Sequence, residues 1–160
     1  MRSDADIEAA MTRHGAAVLR ACSVYLARHD AEDVFQETFL HYAQHGAPFN
    51  DDEHAKAWLI RVAINLCKDE LRAARRSDSP LDEVEEISHL PEQEQVGDRM
   101  RVRFALEELS PDQRTAVLLT VVEGYTAPEA SRIMDKPENT IYSLVRRGKR
   151  KLKGVLGHDG

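Results

Sequence analysis

With 160 residues, 42% apolar and 31% charged side chains and a formal net charge of -6, the chain has the make-up of a soluble protein of one medium or two small domains, which excludes fibrous and natively disordered classes. No apolar run approaches the roughly 20 residues of a membrane span, and "MRSDADIEAA" lacks both the basic start and the apolar core of a signal peptide, so a cytoplasmic location without membrane insertion is expected. Cys22 and Cys67 show no CxxC or Cys/His ligand spacing and the seven histidines form no HExxH-like pair, so reduced, partly buried thiols are expected, with no metal and no cofactor.

No segment sustains a two-residue alternation of apolar and polar side chains, whereas several carry the helical period, so the predicted fold class is all-α. In a first helix Ile7, Met11, Val18, Cys22 and Tyr25 with Leu26 share one face. A second begins within "DAEDVFQETFLHYAQHG": Asp30 is placed to cap its first turn, Val34, Phe35, Thr38, Phe39 and Tyr42 form the apolar stripe, and Gly46 and Pro48 end it. A third, "EHAKAWLIRVAINLCKDELRAARR", turns Trp58, Leu59, Val62, Ala63 and Leu66 inward. On its other side Arg61, Asn65, Lys68, Arg72 and Arg75 or Arg76 recur at steps of three or four, a polar and mostly basic stripe. Such a stripe alone is more often a solvated helix face than a nucleic-acid groove. Asn65 argues the other way, because Asn is a poor mid-helix residue and ordinarily has a partner or a task there.

Charge then divides the chain. Residues 1–76 carry ten basic and twelve acidic side chains, residues 77–98 none and eight, and residues 99–160 twelve and eight, giving -2, -8 and +4. The middle stretch, "SDSPLDEVEEISHLPEQEQVGD", has two prolines and only scattered apolar residues, and reads as a solvated linker. The expected organisation is two small helical domains, 1–76 and 99–160, on an acidic tether, 77–98.

The C-terminal half has sharper start signals. In "SPDQ", Ser110 is an N-cap, Pro111 takes the first helical position and Gln113 the third; in "GYTAPE", Gly124 closes one helix while Thr126, Pro128 and Glu129 open the next. That short helix runs to about Met134, turns through Asp135–Pro137 and restarts as "NTIYSLVRRGKRKLKG", a helix-turn-helix. In the last helix Ile141, Leu144, Val145, Gly148 and Leu152 share the inner face, and Tyr142, Ser143, Arg146, Arg147, Lys149 and Arg150 point outward. A second helix so equipped suits a DNA major groove, with Arg bidentate to guanine and the remaining cations on phosphates. A basic helix complementing its own dipole, or docking on an acidic partner, is the plainer alternative.

Together, "DAEDVFQETFL" with "AWLIRVAINLCKDELRAARR", and "ALEELSPDQRTAVLLTVVEGYTAPEASRIMDKPENTIYSLVRRGKRKL", resemble the two domains of an extracytoplasmic-function (ECF) sigma factor, a promoter-recognition subunit of bacterial RNA polymerase. The resemblance covers about residues 8–76 and 99–157. It implies that the helix matching "EDVFQETFL" docks on the polymerase core, with Asp33, Gln36 and Glu37 on the binding surface. It implies that the third helix and the loop before it read the non-template strand of the -10 element. Asn65 would then lie near a flipped base, with Arg61, Lys68 and Arg72 tracking phosphates and Trp58 serving as packing. The final helix would read the duplex -35 element through Tyr142, Ser143, Arg146 and Arg147, with Lys149, Arg150 and Lys153 on phosphates. The implied partners are core polymerase, promoter DNA and an anti-sigma factor or other inhibitory protein. Four positions depart from the family's common pattern: Ile60 stands where many members have Tyr, Tyr142 and Leu144 where Arg is common, and Asp135 where many members have Gly. Tyr142, with Leu144, bears on which -35 sequence is preferred.

A response-regulator-type transcription regulator has a similar "LSPDQRTAVL…EGYT" start, but it would need an N-terminal receiver of alternating strands and helices. An interaction module without promoter specificity would not need two basic faces. No nucleophile, base and orienting group assemble and no phosphate-binding glycine loop appears, so no catalytic residue is assigned and an enzyme is not expected.

Overall fold

The computed structural model describes residues 1–77 and 107–156, and every regular element among them is helical. The linker expected at 77–98 lies outside the described residues, apart from Ser77. The chain divides into two compact units, Met1–His89 and Leu90–Gly160.

In the first unit α1 (Asp4–Tyr25), α2 (Arg28–Gln44) and α3 (Asp52–Ser77) pack pairwise against one another. Ser3 caps α1 by accepting from the Asp6 N–H at 3.1 Å, and Asp4 and Asp6 complement the positive end of the helix. Asp30 does not cap α2. That helix starts one turn earlier, behind Ala27, with no side-chain cap, because Arg28 and His29 continue the helical path and leave Asp30 inside the first turn. At α3 the cap is Asp51, whose Oδ1 accepts from the His54 N–H at 2.8 Å.

Val18, Cys22, Val34, Thr38, Leu59, Ile60, Ile64 and Cys67 form the fully buried centre of this unit. Two sequence expectations shift here. Met11 is exposed and Ala10 and His14 turn inward instead, the His14 ring held by its bond to Asp52. On α3 the buried line is Leu59, Ile60, Ala63, Ile64 and Cys67, whereas Trp58, Val62 and Leu66 are half-buried, a rotation of about one residue set by packing against both other helices. Thr38 is accommodated because its hydroxyl donates to the Val34 carbonyl at 2.8 Å.

The second unit contains α4 (Pro111–Val117), a π-helical turn (Leu118–Val122), α5 (Ala127–Met134) and α6 (Glu138–Leu156). Both anticipated capping boxes form. Ser110 and Gln113 exchange side-chain bonds with each other's backbone N–H, and Thr126 and Glu129 do the same. The π turn is closed by the Glu123 N–H donating to the Leu118 carbonyl at 2.9 Å, and Gly124 follows at φ +82, a left-handed position suited to glycine. Leu119, Ala116, Ala130 and Ile141 are fully buried at the centre, and Ile133 and Met134 join them.

Candidate nucleic-acid interface

The turn of the helix-turn-helix is fixed from both sides. Asp135 ends α5 at φ 57, where a short polar side chain is tolerated in place of glycine. The Lys136 N–H donates to the Ser131 carbonyl at 3.1 Å, the Ser131 hydroxyl donates to the Lys136 carbonyl, and Lys136 Nζ reaches Asp112 of α4 at 3.3 Å. The start of α6 therefore has a defined direction relative to α4 and α5.

Farther along α6, Ile141 and Gly148 are buried and Leu144, Val145 and Leu152 half-buried, as the periodicity predicts. On the opposite side Arg146, Arg147, Lys149 and Arg150 are exposed, Tyr142 is 56% exposed and Ser143 is half-buried. From Tyr142 to Arg150 this face extends about 12 Å at the helical rise, within the reach of one groove. Lys151 belongs to a different function: its Nζ donates to the Glu108 carbonyl and to Gln113 Oε1, both at 3.3 Å, and ties α6 to the start of α4.

On α3, Arg61, Asn65 and Arg72 are exposed and Lys68 is half-buried. They follow one side of the helix over about 16 Å. Arg72 is paired with Asp69 at 2.7 Å, an exposed i,i+3 pair that water and salt readily loosen. On α2, Asp33, Gln36 and Glu37 are all exposed, and Leu40 lies exposed on the same helix. Asp33 and Glu37 face His29 and His41 at 3.7 and 3.9 Å. Among the described residues one group of potential metal donors, His29, Asp30 and Asp33, lies within 4.8 Å, and the His29–Asp33 contact accounts for its closeness as ordinary helix-surface pairing.

Beneath the start of α3, His14 is buried with Nε2 3.0 Å from Asp52 Oδ1, and Arg13 reaches the same oxygen at 3.3 Å. The His14 bond is the main cause holding the Asp52 carboxyl below its usual range. Sequence periodicity missed this pair, and it missed Arg2, whose partners lie some 40 positions away in α2 and the loop that follows. No local signal marks either. No helix among the described residues is long and apolar enough to cross a membrane.

Comparison with known proteins covers both units. Residues 10–77 match the family described as Sigma-70 region 2, and residues 99–152 match Sigma-70, region 4. The chain is 31% identical over 130 residues to the RNA polymerase sigma factor CarQ of Myxococcus xanthus, covering 79% of this chain and 75% of CarQ. It is 30% identical over 130 residues to the ECF RNA polymerase sigma factor SigM of Mycobacterium tuberculosis, covering 81% of this chain; the match spans 65% of that relative, just under two thirds. Among solved structures, the sigma factor RpoE in complex with the anti-sigma factor NepR from Bartonella quintana superposes with a TM-score of 0.78 at 24% identity, over 97% of this chain and 99% of that one. CnrH in complex with the cytosolic domain of CnrY gives 0.68 at 25% identity, over 99% and 92%.

Proposed function

Because the chain belongs to the ECF sigma factors of the sigma-70 family, we propose that it binds the core of bacterial RNA polymerase in the cytoplasm and directs promoter-specific initiation, without catalysis of its own. The exposed side of α2, with Asp33, Gln36 and Glu37, is the core-binding surface. The α3 stripe of Arg61, Asn65, Lys68 and Arg72 reads the single-stranded -10 element: the Asn65 amide offers a donor and an acceptor to a base edge, and the cations hold phosphates. The α6 face reads the -35 duplex, Tyr142, Ser143, Arg146 and Arg147 toward bases and Lys149 and Arg150 toward phosphates. CnrH was solved with a protein partner, the cytosolic domain of CnrY, and an inhibitory protein that holds this chain before polymerase does is part of the same reading.

The observation that carries the proposal is that each unit presents its own exposed polar face rich in cations, on α3 and on α6, although the whole chain is acidic. The three consecutive helices α1 to α3 do not suit the receiver that a response-regulator reading requires. The test is transcription from a random promoter library by core polymerase reconstituted with the purified chain. Enrichment of paired -10 and -35 sequences is expected. A chain that binds DNA but yields no promoter-specific transcript with any core enzyme sinks the proposal.

A further inference from the structure

The segment between α2 and α3, residues 45–51, has no regular structure of its own, yet the third helix begins directly from it. One side chain from the start of the chain accounts for much of what holds it. The Arg2 backbone N–H donates to the Ala43 carbonyl at 2.9 Å, and its side-chain Nε donates to the Tyr42 carbonyl at 3.1 Å beside the His45 N–H, so this residue bonds carbonyls of the last turn of α2, where the helix's own donors run out. A cation there also complements the negative end of the helix. A second arm, Nη2, donates to the Ala47 carbonyl at 2.8 Å inside the loop, and Nη1 pairs with Asp6 at 3.0 Å.

The guanidinium also lies over two aromatic rings. Its carbon lies 4.4 Å from the centre of the Tyr42 ring and 5.0 Å from that of Phe49, and those two rings are nearly parallel at 6.1 Å. The Arg2 side chain is only 14% exposed, and Tyr42 completes the network by donating its hydroxyl to Asp6 at 3.2 Å. Phe49 continues the contact to Trp58 at 5.6 Å, on α3 one turn before Arg61 and two before Asn65. A continuous set of contacts thus runs from Arg2 through the loop to Trp58 on α3.

We infer that Arg2 is a positioning residue: it fixes the loop at 45–51, and through Phe49 its seating on α3, so that the surface presented to an unpaired -10 base has one shape. This rests on the reading of α3 and the loop before it as the -10 reader. The fork matters to the assignment, because it bonds two carbonyls and a carboxylate at once while its carbon lies over two rings, and a Lys ammonium supplies charge without that geometry.

The experiment compares the full-length chain with R2A and R2K in two assays. Amide hydrogen exchange of the free protein reads residues 45–51 directly: R2A should exchange there about tenfold faster, with α6 unchanged as an internal reference. Library transcription with reconstituted holoenzyme reads selectivity: R2A should lose about tenfold in discrimination at a -10 base, keep its -35 preference, and be restored in part by R2K. A residue that only stabilised the fold would lower output equally on every -10 sequence, and that result, or unchanged loop exchange in R2A, overturns the inference. Should R2A fail to fold, R2K carries both comparisons. If the unmodified chain gives no promoter-specific transcript, the sigma-factor reading has failed, and the exchange assay decides the clamp by itself.

Discussion

Gly148 of α6 lies against Val117 of α4 so closely that a Cβ at position 148 would sit 2.7 Å from Val117 Cγ2. Such a contact cannot exist unless the Val117 side chain or one of the helices shifts, so the glycine permits the close packing of the basic helix on α4. G148A should destabilise the C-terminal unit by about 1–3 kcal/mol, the usual cost of overpacking. Combining it with V117A should recover part of that loss, a coupling that thermal melts of the two single variants and the double variant will reveal. Strict additivity would show that the two residues do not share the strain.

The two capping boxes make a separate prediction. S110A and T126A should each cost about 1 kcal/mol, the typical loss of an N-cap hydroxyl, measured as a lower urea midpoint. Neither side chain belongs to the exposed face of α6, so base preference at the -35 element should survive both substitutions.

On α6, Arg147 and Lys149 are both exposed but are assigned different tasks. R147A should relax preference at one -35 position by about 1–3 kcal/mol, whereas K149A should weaken all sequences alike and reduce the salt slope by about one unit. Fluorescence anisotropy of holoenzyme on promoter variants across a salt series distinguishes them. A uniform loss in R147A would move that residue to the phosphate group.

Asp52 introduces a pH dependence on the acid side. Its carboxyl is held below the usual 3.8, first by the bond to His14 and then by the charges of His14 and Arg13, so the folded state binds a proton less readily than the unfolded chain. The stabilisation is therefore fully present above that usual value and is lost as pH falls through the lower folded one. D52N should be less stable than the native chain near neutrality, and the gap should close in acid. Because the Asp52 side chain is 52% exposed, solvent screens the effect and it should be modest. A gap that widens on acidification would reverse the assignment.

Cys22 and Cys67 are both fully buried, and the Cys67 thiol is pushed far up by its bond to Cys22 and by burial. Thiolate, the reactive form, is suppressed. Neither thiol should label rapidly with a disulfide reagent in the native protein, and both should label once guanidinium unfolds it. Fast native labelling of either would contradict this packing.

What the sequence conveyed and what it withheld divide along a physical line. Ser110 with Gln113, Thr126 with Glu129, and Gly124 are local devices whose partners lie within four residues, and all three took the expected conformation. The two sides of α6 followed likewise from periodicity. The start of α2 did not, because Asp30 is an eligible cap and only the folded chain shows that helical geometry already includes Arg28. Nor did the inner line of α3, since a helix packed on two neighbours buries more than one stripe and the choice between Trp58 and Ile60 is made by tertiary contact. Arg2 and His14 were illegible for the same reason: apart from the Arg2–Asp6 pair, their partners are 38 or more positions distant, and charge or polarity alone does not announce a clamp.

The π turn at Leu118–Val122 also has a meaning in the counting of residues. A turn closed over five residues in place of four absorbs one residue without a loop, so the segment beyond keeps its helical phase although its numbering is one residue ahead. The segment thus behaves as an insertion hidden inside a helix. Removing one residue between Leu118 and Val122 would wind it back into ordinary α geometry and leave Gly124 and the Thr126 cap at the same bearing about the axis. Adding one would leave the surplus to the short bend at Gly124 and Tyr125. The bearing at which the helix-turn-helix leaves α4 should therefore survive a deletion at this point and not an insertion.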